Sequence, residues 1–394
     1  MSTVIAAGLS HVGCVRDHNE DSYCVDSEQQ VFIVADGMGG HAAGEVASKM
    51  AVEGVAAAWT GGTIQEQVED YAKAGDVVRR KQLLRALRAG VLEANQAIAD
   101  LSENDEGKKG MGTTLTGFLI AGGEAMFAHA GDSRAYLVRD RIPVLLSEDH
   151  TVLSRLRAAG IDRGVDGPEP KRYKGMLTNA LGMAETTRVA TFVVPLFNGD
   201  RLVLSSDGIH DYISEVEYGE LVGAATTPEE AAKSLVDLAL ERGGEDNATV
   251  IVVDVQQAGS TEVPAEERSR HKEAIAACPL FKGLSTQQVL RALRITTPRT
   301  YAKGSELPRV ALEDRVAYIV LEGEMAGSGI RAKAGDVVLV EALVQETVVS
   351  EASISATTDL QVLMIRRNDF SELCDDDPDL GVLLYDTVAG LLKR

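Results

Sequence analysis

The sequence predicts a layered α/β domain around a sheet-on-sheet core, followed by a second, smaller domain. Short β-type segments of the first domain are joined by tight turns, such as those at 122–123 and 198–200, and such turns pair neighbouring strands antiparallel. Long amphipathic segments between the strands predict helices that pack outside the sheets. A polar stretch that contains a proline separates the domains, which we place at 1–256 and 274–394 with a linker over 257–273.

Individual elements of the first domain follow from residue types and spacing. Strands are predicted from β-branched and aromatic content at 31–35, 113–121, 125–130, 135–139, 188–196, 201–205 and 249–255. Helices are predicted from a repeating apolar face at 44–59, 81–101 and 228–242. The last of these has the clearest ends, because Thr227 can cap it, Pro228 suits its first turn and Gly243 can stop it.

Composition and charge exclude several classes of protein. The chain has 394 residues and a formal net charge of −21. So acidic a surface repels nucleic-acid phosphates and anionic lipid, and we expect neither nucleic acid nor membrane as a partner. No apolar run approaches the ~18 residues that span a bilayer, and residues 1–9 lack the basic start of a secretory signal, so we expect a cytoplasmic protein. Four cysteines without a Cys-x-x-Cys pair predict free thiols.

Acidic residues recur at the ends of predicted strands. Asp36 and Asp207 each follow such a strand, and Asp246 lies just before another. Because strand ends of one domain can converge, we predict that the three carboxylates share a site, where their repulsion requires a compensating charge. Hard oxygen ligands in this number suit Mg²⁺ or Mn²⁺. The alternative for any single motif is an ordinary Asp-Gly turn.

Six motifs occur in a fixed order along the first domain. They are Arg-Asp-His-Asn-Glu-Asp at 16–21, Asp-Gly-Met-Gly-Gly-His at 36–41, Gly-Thr-Thr at 112–114, Gly-Asp-Ser-Arg at 131–134, Ser-Asp-Gly at 206–208 and Asp-Asn at 246–247. This set resembles the signature of the metal-dependent protein phosphatases, the type 2C serine/threonine phosphatases, in their bacterial form. The resemblance covers roughly residues 1–255. It implies an antiparallel β-sandwich flanked by helices on both sides, an α-β-β-α arrangement.

The resemblance also implies a centre of two Mn²⁺ or Mg²⁺ ions, with a third, weaker ion in bacterial members. The residues that it assigns to the ions are Asp36 as a bridge, the Gly37 carbonyl and Glu20 on one ion, Asp207 and Asp246 on the other, and Asp132 with Asp207 on the third. Asp21 would lie behind the ligands and hold them in place. The expected reaction is hydrolysis of phosphoserine and phosphothreonine in proteins by a metal-activated water, so phosphorylated proteins are the expected partners.

Two further residues receive catalytic roles from the resemblance. Arg16 would clamp the phosphate, because its planar fork can bind two phosphoryl oxygens; the alternative is a surface salt bridge to Glu20 or Asp21. His41 would protonate the leaving group; the alternative is a cap on the following helix. Animal members have a histidine directly after the Asp-Gly pair, where this chain has Met38, so the role of His41 is carried over at a shifted spacing.

A different reading of the first domain is a signalling scaffold that binds phosphoproteins without hydrolysing them. An inactive copy usually loses a metal ligand. This chain keeps the whole set of Glu20, Asp36, Asp132, Asp207 and Asp246, which favours an active enzyme.

The second domain resembles a cyclic-nucleotide-binding domain, which implies a small β-roll with helices. The segments that carry the resemblance are 281–285, 301–305, 318–324, 334–338 and 365–370. The ligand cassette departs from the pattern, because Val340 replaces its glycine and no arginine occurs between Glu341 and Glu351. A cyclic phosphate would be poorly neutralised there, so we expect no cyclic-nucleotide binding. A regulatory or partner-binding role, self-association, another ligand and an inert appendage remain open.

Overall fold

The computed structural model describes residues 2–39, 43–158, 173, 175–259, 264–311, 314–327, 329–345 and 353–393. The chain forms two units, Met1–Ser260 and Thr261–Arg394. A helix over Ala265–Ala277 occupies part of the stretch where we predicted a linker. Its highly charged sequence shows no regular apolar pattern, which is why the helix was not predicted. Glu266 and Glu267 in its first turn complement the helix dipole.

The strands of the first unit form two antiparallel sheets. In chain order they are β1 (Thr3–His11), β2 (Asp21–Asp26), β3 (Val31–Met38), β4 (Gly112–Thr113), β5 (Leu115–Ala121), β6 (Glu124–Ala130), β7 (Arg134–Arg139), β8 (Ile142–Leu145), β9 (Ala190–Pro195), β10 (Arg201–Ser205) and β11 (Ala248–Gln257). One sheet has the order β1-β11-β10-β7-β8. The other has the order β2-β3-β5-β6-β9, and β4 pairs with β3.

Helices of the first unit pack against these sheets. They are α1 (Ala43–Thr60), α2 (Gly62–Ala74), α3 (Val77–Asn104), α4 (Val152–Ala158), α5 (Asp207–His210), α6 (Glu215–Ala224) and α7 (Pro228–Glu241). Helix α1 packs against β3 and α3, whereas α7 packs against β1 and β11. The start of α7 is as predicted: Thr227 Oγ1 accepts a hydrogen bond from the Glu230 N–H at 3.2 Å, and Pro228 lies in the first turn.

A row of phenylalanines covers the face of the second sheet that points away from α1. Phe32, Phe118, Phe127 and Phe192 come from four adjacent strands, with successive ring centroids 5.0, 4.9 and 4.6 Å apart. All four rings are buried. Strand β3 contacts β10 and β11 of the other sheet, and β5 contacts β7, so strands of the two sheets lie close to each other.

The predicted class, a domain of helices and antiparallel sheets, is confirmed. The sequence prediction missed β1, β2, β8, α2, α5 and α6, and it joined β4 to β5. That strand is interrupted at Thr114, which leaves the regular ladder to bind the backbone of Asp36.

The second unit has its own antiparallel sheets and helices. Its strands are β12 (Thr296–Tyr301), β13 (Val310–Ala311), β14 (Asp314–Glu322), β15 (Glu324–Gly327), β16 (Ile330–Lys333), β17 (Val337–Val338), β18 (Ser355–Ala356) and β19 (Leu360–Arg366). They form the orders β12-β19-β14-β13, with β17 beside β14, and β16-β15-β18. Its helices are α8 (Ala265–Ala277), α9 (Thr286–Leu293), α10 (Arg367–Asp376) and α11 (Pro378–Leu392).

Single turns of 3-10 helix cover Glu106–Lys108, Pro279–Phe281 and Val340–Leu343. Among the described residues, no helix combines the length and the apolar character that a bilayer crossing needs.

Candidate active site

Two carboxyl groups face each other where β2 and β3 meet, that of the buried Asp21 and that of the half-buried Asp36. Asp21 and Asp36 are direct cross-strand partners in the ladder. The backbone of Asp36 is bound on both sides, since its N–H donates to Thr114 Oγ1 at 2.9 Å and its carbonyl accepts from the Thr114 N–H and from Thr113 Oγ1, each at 2.9 Å. The position of the Asp36 carboxyl group is therefore set by the sheet.

A third carboxyl group arrives from the other sheet. Asp207 is the first residue of α5, directly after β10, and its carboxyl group lies within hydrogen-bonding reach of that of Asp36. Ser206 links the same turn to Asp21, because its hydroxyl donates to Asp21 Oδ2 at 2.8 Å. The Oδ1 atoms of Asp21 and Asp207 are buried, and neither has a hydrogen-bond partner in the described parts of the chain. Such oxygens are suited to a cation.

Asp246 and Arg16 form the more exposed rim of this group. Arg16 Nη2 donates to Asp246 Oδ2 at 2.7 Å, and Asp246 Oδ1 accepts from the Asn247 N–H at 2.8 Å. The Asp246 charge contributes to raising the pKa of Asp36 and of Asp207, although burial is the larger cause for both. Asp246 therefore belongs to the same electrostatic group as the buried acids.

Glu20 is held next to the acidic group by hydrogen bonds to two glycines. Its carboxylate accepts a hydrogen bond from the Gly44 N–H, and its carbonyl accepts from the Gly37 N–H at 3.1 Å. A Cβ atom on Gly37 would overlap the Gly44 carbonyl, and one on Gly44 would lie 2.7 Å from Glu20 Oε1. The close approach of these three residues requires glycine at both positions.

Asn247 is a residue whose role the sequence reading missed. Its Oδ1 accepts from the Glu20 N–H at 2.7 Å, and its Nδ2 donates to the carbonyls of Val12 and His18 at 2.8 and 2.9 Å. A signal was present, because an asparagine just before a buried strand must satisfy its amide inside the protein.

Asp132 lies at the turn between β6 and β7 and is buried. Burial is the main cause that raises its pKa to about 8, followed by the charges of Asp207 and Asp149. Asp149 itself forms a bidentate pair with Arg134, at 3.0 and 2.7 Å, which the sequence reading also missed. The charge of Asp149 is therefore balanced by Arg134. Among the contacts described, Asp132 has no arginine beside it.

The carboxyl groups hold protons more tightly than ordinary acids. Burial, with neighbouring charges second, raises the pKa of Asp21 to about 7 and that of Asp207 to about 6. Burial also raises the pKa of Asp36 well above its usual range, and that of Glu20. A cluster of buried, mutually repelling oxygen donors fits hard divalent cations, which supply the missing positive charge.

Of the site residues predicted from the sequence, the structure brings together Arg16, Glu20, Asp21, Asp36, Gly37, Asp132, Asp207 and Asp246. His41 lies outside the described residues.

Comparison with known proteins places the first unit in one family. Residues 10–248 match the family model described as Protein phosphatase 2C. The serine/threonine phosphatase stp of Listeria monocytogenes is 36% identical over 248 residues, which cover 61% of this chain and 92% of that protein. The serine/threonine protein phosphatase PstP of Mycobacterium tuberculosis is 37% identical over 254 residues, which cover 63% of this chain and 44% of that protein.

Solved structures give the same result for the fold. A crystal structure of the Mycobacterium tuberculosis phosphatase PstP superposes with a TM-score of 0.53 at 35% identity, covering 65% of this chain and all of that one (100%). A structure of the PstP catalytic domain in complex with two manganese ions has a TM-score of 0.52 at 36% identity, covering 65% of this chain and 99% of that one. From the matched residues, the shared fold and the acidic centre, we conclude that the chain belongs to the protein phosphatase 2C family of serine/threonine phosphatases.

Proposed function

We propose that this chain hydrolyses phosphoserine and phosphothreonine in proteins with the help of Mn²⁺ or Mg²⁺. The observation that supports it most is the meeting of Asp36, Asp207 and Asp246, from three separate motifs, in one electrostatic group. The names of the relatives from Listeria monocytogenes and Mycobacterium tuberculosis support the same activity, and the two manganese ions of PstP support the cofactor.

The donor set allows an assignment of ligands. Asp36, the Gly37 carbonyl and Glu20 would hold one ion, Asp207 and Asp246 the second, and Asp132 with Asp207 a weaker third. When bound, such ions supply the positive charge that stabilises the phosphoryl oxygens and the acidity that makes water a nucleophile at neutral pH. Asp21 would keep Ser206, and with it the start of α5, in place through the hydrogen bond at 2.8 Å.

Arg16 is the group that would bind the substrate phosphate. Its side chain is about half exposed, 49%, so it is open to a large phosphoprotein while its guanidinium lies at the acidic centre. The bond to Asp246 orients the guanidinium, and the donors it leaves unused can reach phosphoryl oxygens. His41 is retained as the proposed proton donor to the leaving serine or threonine oxygen.

The fold would serve this chemistry by bringing two sheet ends together. We propose that the sheets of the first unit form an α-β-β-α sandwich, with the phenylalanine row between them and the acids at one end. The contacts of β3 with β10 and β11 support it.

The second unit is proposed to be a regulatory or partner-binding module of the cyclic-nucleotide-binding type that does not take a cyclic nucleotide. The loss of the cassette glycine at Val340 supports the second part, while residues 346–352 lie outside the described chain. Comparing the full chain with a chain cut after Ser260, in activity per molecule on one phosphoprotein, tests the regulatory role. Equal activity would argue against it. Micromolar binding of cyclic AMP or cyclic GMP in a calorimetric titration would contradict the absence of a nucleotide site.

Release of phosphate from a phosphothreonine peptide tests the enzymatic proposal. The full chain should be active with Mn²⁺ and inactive with excess EDTA. The activity of Asp207→Asn should be lower by more than about 100-fold. Even mutation of groups that only orient metal ligands typically lowers metal affinity or activity about 10- to 100-fold. Asp237→Asn, an exposed aspartate that pairs with Lys233 on α7, is the matched control and should keep full activity. Binding of the peptide without release of phosphate would instead favour a scaffold.

A further inference from the structure

Three potential metal ligands meet in the second unit, on residues that the phosphatase motifs do not include. Glu267 and His271 lie one turn apart on α8, and Glu322 ends β14, the strand against which α8 packs. One ligand atom from each residue lies within 4.8 Å of the other two. The helix spacing places Glu267 and His271 on the same face, towards Glu322.

The imidazole of His271 supplies the independent sign that a ligand belongs here. Its Nε2 atom is shielded from solvent, yet it makes no hydrogen bond to any part of the chain that the structure describes. The nearest carboxylate oxygen, Glu267 Oε1, is 3.9 Å away, which is too far for a hydrogen bond. The side chains of His271 and Glu267 are about four-fifths buried, with 21% and 24% exposed. A buried nitrogen without a partner is costly, and a cation between it and the carboxylates would satisfy it.

The carboxylate of Glu267 is held in place, whereas the side chain of Glu322 is more open, with 40% exposed. Gln361 Nε2 donates to Glu267 Oε1 at 3.0 Å, and Gln361 is the cross-strand partner of Glu322. Metal ligands in proteins are commonly oriented by such neighbouring hydrogen bonds. Arg270 competes with a metal ion for Glu322, since its Nη2 lies 3.4 Å from each oxygen of that carboxylate. Contacts of this length on a side chain that is 50% exposed are weak and can be displaced.

We propose that Glu267, His271 and Glu322 bind one Zn²⁺ ion, which fastens α8 to β14. One imidazole nitrogen and two carboxylate oxygens form a mixed ligand set that suits zinc, with a fourth position left for water. The acidic centre of the first unit offers oxygen donors alone, which suit Mg²⁺ or Mn²⁺. The two sites therefore differ in donor chemistry, and the zinc site does not depend on the proposed phosphatase reaction.

Zinc binding to the full chain tests the proposal. The titration is done by calorimetry in excess Mg²⁺ and in an Asp36→Asn background, so that the acidic centre contributes as little as possible. We expect one equivalent of Zn²⁺ per chain. His271→Ala should remove it, and Glu322→Gln should weaken it more than 10-fold. Glu273→Gln, an exposed acid on the same helix, is the matched control and should bind as the parent does.

A spectroscopic measurement separates loss of the site from loss of folding. Co²⁺ in place of Zn²⁺ should give visible absorption bands that disappear in His271→Ala while the far-ultraviolet circular dichroism stays unchanged. Zinc stoichiometry that is the same with and without His271, or no zinc bound to the parent chain, would overturn the proposal. Either result leaves Mn²⁺-dependent phosphate release by the unaltered chain unaffected, so the two proposals fail separately.

Discussion

The side chain of Asn247 accepts a hydrogen bond from the backbone N–H of Glu20 at 2.7 Å, although 227 positions separate the two residues. The same side chain donates to the carbonyls of Val12 and His18. One amide thus fastens the segment that carries Arg16 and Glu20 to the turn that carries Asp246. The acidic centre is assembled by hydrogen bonds between loops as much as by the sheets beneath them.

Removing this amide should damage both stability and the site. Asn247→Ala leaves the half-buried Glu20 N–H and two carbonyls without the amide that binds them, so we expect a loss of about 1–3 kcal/mol in the free energy of unfolding. Affinity for Mn²⁺ should fall as well, because Glu20 and Asp246 are no longer held together. Chemical denaturation and calorimetry measure the two effects. Asn104→Ala, at the exposed end of α3, is the control and should change neither. Unchanged Mn²⁺ affinity in Asn247→Ala would show that the amide is not needed for the site.

Gly37 should not tolerate even one added methyl group. In Gly37→Ala the Cβ atom would overlap the Gly44 carbonyl, which is backbone and cannot move aside without shifting α1. We expect a loss of at least about 3 kcal/mol in stability or a failure to fold. In Gly62→Ala, at the start of α2, the Cβ atom meets nothing within 4 Å, so that variant should be neutral or slightly more stable. Thermal unfolding of the pair tests this, and equal melting temperatures would refute the close approach.

Arg16 should matter more for substrate than for metal. In Arg16→Ala we expect KM for a phosphothreonine peptide to rise about 10- to 100-fold, the range for a lost hydrogen bond to a charged group. Mn²⁺ affinity should hold or improve, since Asp246 is relieved of its partner. Arg79→Ala is a matched control, because Arg79 forms a comparable exposed pair with Asp76 and has 47% of its side chain exposed, against 49% for Arg16. Equal losses in substrate and metal binding would contradict the clamp.

Stability without metal should decrease as pH rises. Burial raises the pKa of Asp207 to about 6, of Asp21 to about 7 and of Asp132 to about 8, whereas an unfolded aspartate has a pKa near 3.9. Between these limits the folded chain holds protons that the unfolded chain has lost, so its free energy of unfolding falls with pH. Denaturation in EDTA at pH 5.5 and pH 8 measures this fall.

Mn²⁺ should reverse the trend, because a cation replaces the protons most easily at high pH. The stabilisation by Mn²⁺ should therefore be larger at pH 8 than at pH 5.5. Asp207→Asn should flatten the slope in EDTA, while Asp237→Asn should not. If the chain in EDTA is more stable at pH 8 than at pH 5.5, the raised pKa values of these aspartates do not control its stability, and the prediction is wrong.

Asp36, Asp207 and Asp246 were accessible from the sequence because each lies at the end of an apolar strand, where a buried charge needs a reason. The structure brings these three acids into one electrostatic group, and their ligand roles stay a prediction. The hydrogen bonds and the ion pair that hold the acids in place could not be predicted from the sequence. The bond of Asn247 to Glu20 spans 227 positions, and Arg134 and Asp149 are 15 positions apart; no local pattern reveals such partners.

The missed elements have similar causes. Strand β1 is half-buried with no regular alternation, and it is a strand because it pairs along its length with β11, more than 230 positions away. The sequence of helix α8 is a run of charged residues without a regular apolar pattern. Tertiary contacts decide both cases, which is why β11 and α7, with strong local signals, were predicted and β1 and α8 were not.

Counting bound Mn²⁺ tests the central claim most directly. Electron paramagnetic resonance of free Mn²⁺ gives the number of ions that the full chain takes up. The wild-type chain should bind two ions tightly, and Asp36→Asn, which keeps the shape of the side chain but lowers its charge, should lose both. Two tightly bound ions in Asp36→Asn, with the fold intact, would contradict a metal centre built on this carboxyl group.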